Sequence, residues 1–290
     1  MPHIPTISHP DKVLFPETGL TKSGLARHYE HVAPAMLPYV RERPLAVQAF
    51  PKGIGEHGFF MKAVPDYFPD WIDRVTVRKR GGTVTHVLAN DAATLVYLAG
   101  QNVVTPHTWL SRADAPDKPD RLIVDFDPSG GGFADVRAAA REAGRRLRDA
   151  GLATYAMVTG SRGIHVMCPL RRGPSFTDVH RFARSLAEGM VADDPRRLTL
   201  EWKKVDRGKR IYVDVNRIAY AQHAVAPYGV RAREKAPVAM PIQWDELDDS
   251  RLKPDRWTVK TAAARLADSG DPWKGMMRRA RKLPSLPARA

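Results

Sequence analysis

Apolar residues recur at helical spacing along several stretches of the chain. Leu25, Tyr29, Val32 and Met36 follow Thr21 and Ser23, either of which can cap, and predict a helix to about Met36. A second helix is expected over Ala92–Gln101, capped by Asn90 or Asp91. A third spans Phe133–Ala150, with Phe133, Val136, Ala140 and Leu147 on one face and arginines on the other. A fourth covers Phe176–Val191, turning Val179, Phe182, Leu186 and Met190 inward, and a short one covers Lys260–Asp268.

Between these helices lie short runs that read as strands: residues 45–50, Phe59–Lys62, Arg74–Arg78 and Thr83–Leu88, the last pair joined at Gly81-Gly82. Arg121–Phe126, Ala153–Thr159, Gly163–Pro169 and Arg210–Val215 continue the series. Residues 111–120 are polar and proline-rich, and residues 231–241 read as extended or loop. The basic tail after Lys274 is expected to fray. The alternation over 121–215 predicts a mixed α+β sheet domain, and the chain is expected to divide at the 111–120 connection into parts of about 1–110 and 111–290 within one compact unit.

Composition narrows the partners. At 290 residues, 43% hydrophobic and 27% charged, the chain can bury a core, which excludes disorder for the bulk of it. The net charge of +14 points to a polyanion. The single cysteine, Cys168, cannot form an internal disulfide, and no signal-peptide core or apolar run of spanning length is legible. A cytoplasmic, nucleoid-associated protein is expected.

The sharpest chemical signal is Leu122-Ile123-Val124-Asp125-Phe126-Asp127. Strand alternation sends Asp125 and Asp127 to one face. Two neighbouring carboxylates repel unless a cation lies between them, and a hard divalent ion takes such oxygens. Asp214, in Val213-Asp214-Val215, is a third acid in an apolar strand. If the two strands are neighbours, three carboxylates converge as a two-metal phosphoryl-transfer site requires; adjacency is not legible in the sequence. Thr159-Gly160-Ser161-Arg162-Gly163-Ile164-His165 is a glycine turn carrying Ser161 and Arg162 as donors, suited to a triphosphate. Its plainer reading is a structural hairpin. Lys203, Lys204, Arg207, Lys209, Arg210, Arg217, Arg231 and Arg233 bracket Asp214 with positive charge. Phe59-Phe60 offers an aromatic platform for a base, although one ring of such a pair is expected in the core because strand neighbours face opposite sides. Gly53–Gly58 fits G-x-G-x-x-G but leads into a strand, which rules out a dinucleotide site. Lys204-Val205-Asp206-Arg207 resembles a ligase nucleotidylation motif but lacks its glycine.

Taken together, the chain resembles the polymerase domain of bacterial ligase D and its stand-alone actinobacterial relatives, in the archaeo-eukaryotic primase superfamily. The resemblance runs from about Pro10 to Trp273. It is carried by Asp-Lys-Val-Leu-Phe-Pro at 11–16, Phe59-Phe60, Asp125-Phe126-Asp127, the turn at 160–165, Val213-Asp214 and residues 226–233. It implies a primase-polymerase fold, with an RRM-like antiparallel or mixed catalytic sheet and an N-terminal α/β module that shapes a DNA channel. It further implies that Asp125, Asp127 and Asp214 hold two Mn²⁺ or Mg²⁺ ions, and that His107, Thr159, Ser161, Arg162, His165, Arg207, Arg231 and Arg233 lie near an incoming NTP or dNTP. Lys12 and Lys22 match a pair that holds a 5′-phosphate, and Phe59 and Phe60 match an aromatic pair at the template. The implied activity is templated addition of nucleotides, ribonucleotides preferred, to a primer 3′-OH at breaks or short gaps in DNA repair. Gapped or broken DNA with a 5′-phosphate is the implied substrate, with an ATP-dependent DNA ligase in trans and Ku as partners. Gln48 and Met61 depart from the family pattern. A non-catalytic nucleic-acid-binding module on the same scaffold is the alternative, and a nuclease is disfavoured by the Gly-Ser-Arg-Gly turn.

Overall fold

The structure is a computed structural model that describes residues 5–285. Its contacts divide into two compact units. The first contains the chain up to Asp114 together with His223–Met240 and Trp257–Asp271. The second contains Ala115–Gln222, Pro241–Arg256 and the chain from Pro272. Residues 223–240 and 257–271, expected with the catalytic part, therefore pack in the first unit.

In the first unit, Thr21 caps the helix Lys22–Val40 by accepting from the Gly24 N–H at 3.2 Å. Leu25, Tyr29, Val32 and Met36 are all buried, as their spacing predicts. The helix runs one turn past the expected end, through Pro34 and Pro38. Both prolines lie on the exposed face, where the carbonyls left unpaired can bond water. A four-stranded antiparallel sheet has the order His223–Val225, Val103–Trp109, Leu45–Ala49, Phe59–Met61. The strand Val103–Trp109 was not expected from the sequence, yet every residue in it is buried. The hairpin Arg74–Lys79 and Gly82–Val87 turns at Gly81 and Gly82, both with positive φ.

In the second unit, a six-stranded sheet has the order Leu198–Thr199, Ile211–Asp214, Arg121–Pro128, Ile164–Pro169, Tyr155–Val158, Met240–Ile242. The helices Phe133–Asp149 and Phe176–Asp193 pack on it. The first buries Val136, Ala139, Ala140, Ala143, Gly144 and Leu147, while Phe133, expected inward, stays half-exposed. Gly144 is where the Trp244 ring packs, leaving no room for a side chain. Over its described part, to residue 285, the tail after Lys274 does not fray as expected: Met276 is fully buried, and the Arg281 carbonyl accepts from the Arg171 N–H at 2.7 Å. Residues 286–290 lie outside the described residues. Just before the tail, Trp273 is fully buried with its indole N–H donating to the Ala156 carbonyl at 2.9 Å. The class is mixed α+β, as expected.

Candidate active site

Three carboxylates share one face of the sheet in the second unit because two strands are neighbours. Arg121–Pro128 pairs antiparallel with Ile211–Asp214, and the register sets Asp125 directly opposite Asp214 and Asp127 opposite Tyr212. Phe126 and Val213, also opposite each other, point into the core. Alternation then leaves Asp125, Asp127, Tyr212 and Asp214 on one face. They line a pocket of about 580 Å³ together with Trp202, Lys203, Lys204, Arg207 and Arg217.

The electrostatics of the pair are unfavourable. Asp214 is buried, and its carboxyl is held above the usual carboxylate range, first by burial and next by the charge of Asp125. Partial relief comes from the Arg217 Nε at 3.4 Å and from the Asn216 N–H, which donates at 2.8 Å. The Tyr212 hydroxyl lies 3.4 Å from the same Asp214 oxygen that Asn216 reaches. Asp125 faces the buried His165, whose Nε2 lies 3.4 Å from its carboxylate. Asp127 is taken by cations: Arg162 donates to both its oxygens at 3.0 and 3.1 Å, and the Arg207 Nη1 stands 3.8 Å away. Among the described residues, no group of three or more His, Cys, Asp or Glu side chains is gathered closely enough to hold a metal ion. The donor chemistry of Asp125 and Asp214 nevertheless fits a hard divalent cation, because a buried carboxylate opposed by a half-buried one is what such a cation relieves. Asp127 joins that set only by giving up Arg162.

The turn after Thr159 is fixed by its own backbone. The Thr159 N–H donates to the Gly163 carbonyl at 3.0 Å, and the Gly163 N–H donates back to the Thr159 hydroxyl at 3.2 Å. A Cβ on Gly163 would collide with the carbonyl oxygen of Phe126, so glycine is required for this strand to lie against the one bearing the acids. Arg162 projects from the turn to Asp127. Arg207 is buried and acts as a clamp. It donates to the carbonyls of Glu201 and Trp202 at 2.9 and 2.7 Å and lies over the Tyr212 ring at 3.8 Å. Trp202 itself is 70% exposed.

Ser161, in the same turn, is half-buried. The remaining expected residues lie in the first unit. The His107 ring is 5.2 Å from both Phe60 and His223. Phe59 and Phe60 are 52% and 48% exposed, so neither is in the core, contrary to the expectation for one of them; their strand is three residues long and is paired along one edge only. Lys12 donates to the Pro51 carbonyl. Lys22 is buried, donates to the Ser8 carbonyl at 2.8 Å, and is held below the usual lysine range by burial and then by Lys12. Arg231 is half-buried and Arg233 exposed. Tyr212, Asn216 and His223 were missed by the sequence reading. Tyr212 and Asn216 carry a signal, each standing two residues from Asp214, whereas the three-residue strand of His223 carries none.

No helix among the described residues is long and apolar enough to cross a membrane. Residues 21–273 match the family of the LigD primase-polymerase domain. The multifunctional non-homologous end joining DNA repair protein LigD of Mycobacterium tuberculosis is 32% identical over 275 residues, which is 92% of this chain and 36% of that protein. The bifunctional non-homologous end joining protein LigD of Bacillus subtilis is 28% identical over 265 residues, 91% of this chain and 42% of that protein. The chain thus spans roughly two fifths or less of these relatives. A solved structure of the polymerase domain from Mycobacterium tuberculosis ligase D in complex with DNA superposes with a TM-score of 0.89 at 30% identity, covering 95% of this chain and 99% of that one. By these matches the chain belongs to the LigD primase-polymerase domain family.

Proposed function

We propose that this protein is a DNA-templated nucleotidyltransferase of the primase-polymerase type that fills gaps or extends ends during end joining. The observation that carries this reading is the opposition of Asp125 and Asp214 across two strands, with the Asp214 carboxyl raised by burial and by its neighbour. Asp125 and Asp214, with Asp127 once it exchanges Arg162, would hold the divalent cations. Bound there, Mn²⁺ or Mg²⁺ supplies charge neutralisation at the reacting phosphate and lowers the pKa of the attacking hydroxyl.

The rest of the work belongs to side chains of this protein. Arg162, freed from Asp127, can fork onto triphosphate oxygens. His165 holds Asp125 in place and turns its donor toward the same face. Arg207 fixes the segment that ends in Trp202 and keeps a positive charge beside Asp127. Thr159 matches the position to which the family resemblance assigns a hydroxyl near the ribose 2′-OH, and it is read on that ground as the source of a preference for ribonucleotides. The primer 3′-oxygen forms a bond to the α-phosphorus as the bond to pyrophosphate breaks, and the hydroxyl proton is lost to solvent.

In the first unit, Lys12 and Lys22 are read as the holders of a downstream 5′-phosphate, since an anion offsets the burial and, after it, the Lys12 charge that together hold Lys22 below the usual lysine range. Phe59 and Phe60 offer exposed faces for template bases, and His107, Arg231 and Arg233 supply further donors for the nucleotide. The reading implies gapped or broken DNA as substrate, a DNA ligase acting in trans, and Ku. It is tested by extension on a gapped duplex carrying a downstream 5′-phosphate, with NTP against dNTP, in Mn²⁺ and in Mg²⁺. Templated, metal-dependent addition favouring NTP is the expected result. Tight binding of the gap with no addition under either metal would replace this reading with the non-catalytic module.

A further inference from the structure

Three segments of the first unit close a pocket of about 280 Å³ that the proposed reaction leaves unused. Its lining includes Thr18, Thr21, Gly24, Arg27, Lys235 and Lys260, and no acidic side chain. Thr21, Gly24 and Arg27 are spaced by three, so they form one stripe along the start of the helix Lys22–Val40. Arg27, Lys235 and Lys260 are exposed, and among the described residues none of their side chains makes a hydrogen bond or an ion pair. The Thr18 hydroxyl oxygen is buried and has no hydrogen-bond partner. Three like charges around one hollow, with no acidic side chain in its lining to offset them, are an arrangement that an anion completes.

The backbone does not supply the recognition. At the helix starts bordering the pocket, the N–H groups of Lys22, Ser23 and Gly24 donate to Lys12 O, Pro10 O and the Thr21 hydroxyl, and that of Val259 donates to Ala236 O. The task falls to the side chains. The pocket is also separate from the lysine pair: neither Lys12 nor Lys22 lines it, and the Lys22 ammonium is turned to the Ser8 carbonyl.

We propose that this pocket binds a backbone phosphodiester of the DNA strand whose 5′-phosphate is read by Lys12 and Lys22. The inference rests on that reading of the lysine pair and extends it along the strand. Lys22 and Arg27 are five residues apart, about 7.5 Å along the helix axis. That is the rise of about two steps of a B-form strand at about 3.4 Å each. Five residues also turn Arg27 about 140° around the helix from Lys22, so the strand must cross the start of the helix to reach Arg27, Lys260 and Lys235, whose flexible cations suit a phosphate without reading sequence.

The test measures binding of gapped duplexes bearing a downstream 5′-phosphate or 5′-hydroxyl, over a range of salt. Wild type, the double variant Arg27→Ala with Lys260→Ala, and Lys22→Ala are compared. Both substituted side chains of the double variant are exposed, so the fold is unaffected. The double variant is expected to weaken both duplexes alike, by about tenfold or more, and to reduce the slope of log K against log salt by about 2. Its preference for the 5′-phosphate should survive, while Lys22→Ala should lose that preference. Unchanged affinity and slope in the double variant would overturn the proposal. So would loss of the 5′-phosphate preference with 5′-hydroxyl binding intact, because the pocket would then be part of the lysine-pair site. Inorganic phosphate serves as the control: thermal stabilisation of wild type by phosphate alone, with DNA affinity untouched in the double variant, would assign a small-anion pocket instead. If wild type shows no 5′-phosphate preference and Lys22→Ala changes nothing, the lysine-pair reading fails. The 5′-hydroxyl arm still decides whether the pocket grips DNA.

Discussion

Gly163→Ala is the substitution that most directly probes how the fold positions the acids. The added methyl would meet the backbone carbonyl of Phe126, the residue between Asp125 and Asp127. A backbone atom cannot swing aside as a flexible side chain can, so the strands Arg121–Pro128 and Ile164–Pro169 must separate locally. Overpacking of this kind costs about 1–3 kcal/mol. At about 2–4 °C per kcal/mol, that is a fall of about 2–12 °C in Tm. The displacement falls on the peptide joining the two carboxylates, and a shift of about 1 Å in a reacting constellation can cost about a hundredfold in rate. The assay pairs a thermal melt with single-nucleotide extension at a temperature where the variant is folded. Gly151→Ala is the control. Gly151 has φ of 83° with open space around it, so its alanine variant should lose about 1–2 kcal/mol to backbone strain yet extend normally. Wild-type stability and extension in Gly163→Ala would refute the close approach on which the site is built.

Other consequences can be read with similar assays. The His28 imidazole is pushed down to about 4 by burial, and its Nε2 lies 3.0 Å from the Tyr228 carbonyl. Its folded pKa is below the unfolded one, so its contribution is complete above about pH 6.5 and is lost as pH falls toward 4, by about 3 kcal/mol in all. Stability measured from pH 7 to pH 4 should show that fall, and His28→Gln should flatten it. Arg207→Lys should expose the segment 201–210 to proteolysis and raise the KM for nucleotide, because lysine cannot bond the carbonyls of Glu201 and Trp202 while lying over Tyr212. Unchanged cleavage would argue against the clamp. Thr159→Val leaves the Gly163 N–H unpaired at a cost of about 1–3 kcal/mol. It should also narrow the preference for NTP over dNTP, measured as the ratio of kcat/KM values.

The sequence was most legible where periodicity and chemistry coincide. Alternation in Val124-Asp125-Phe126-Asp127 places both acids on one face, and the register bears this out. Adjacency to Asp214 was not legible, because pairing between residues so far apart is set by the sheet and not by local pattern. The strand Val103–Trp109 was missed because Pro106 and His107 interrupt its apolar run, while tertiary burial overrides them. The described part of the tail was misjudged from its charge: Met276 is buried and its N–H donates to the carbonyl of the buried Trp273, although the stretch is basic. The assignment of 223–240 and 257–271 to the first unit was hidden because the chain crosses between units more than once. The sequence marks Arg207 as a positive charge and, by resemblance, as a residue near the nucleotide, whereas its hydrogen bonds to the carbonyls of Glu201 and Trp202 appear only in three dimensions.

The central claim is that the opposed carboxylates perform chemistry and do not merely shape a surface. The most direct measurement is extension of a gapped duplex by Asp125→Ala beside wild type, with DNA affinity of both determined in the same buffer. The account predicts that extension is abolished while binding largely survives. Extension at the wild-type rate in Asp125→Ala would contradict it.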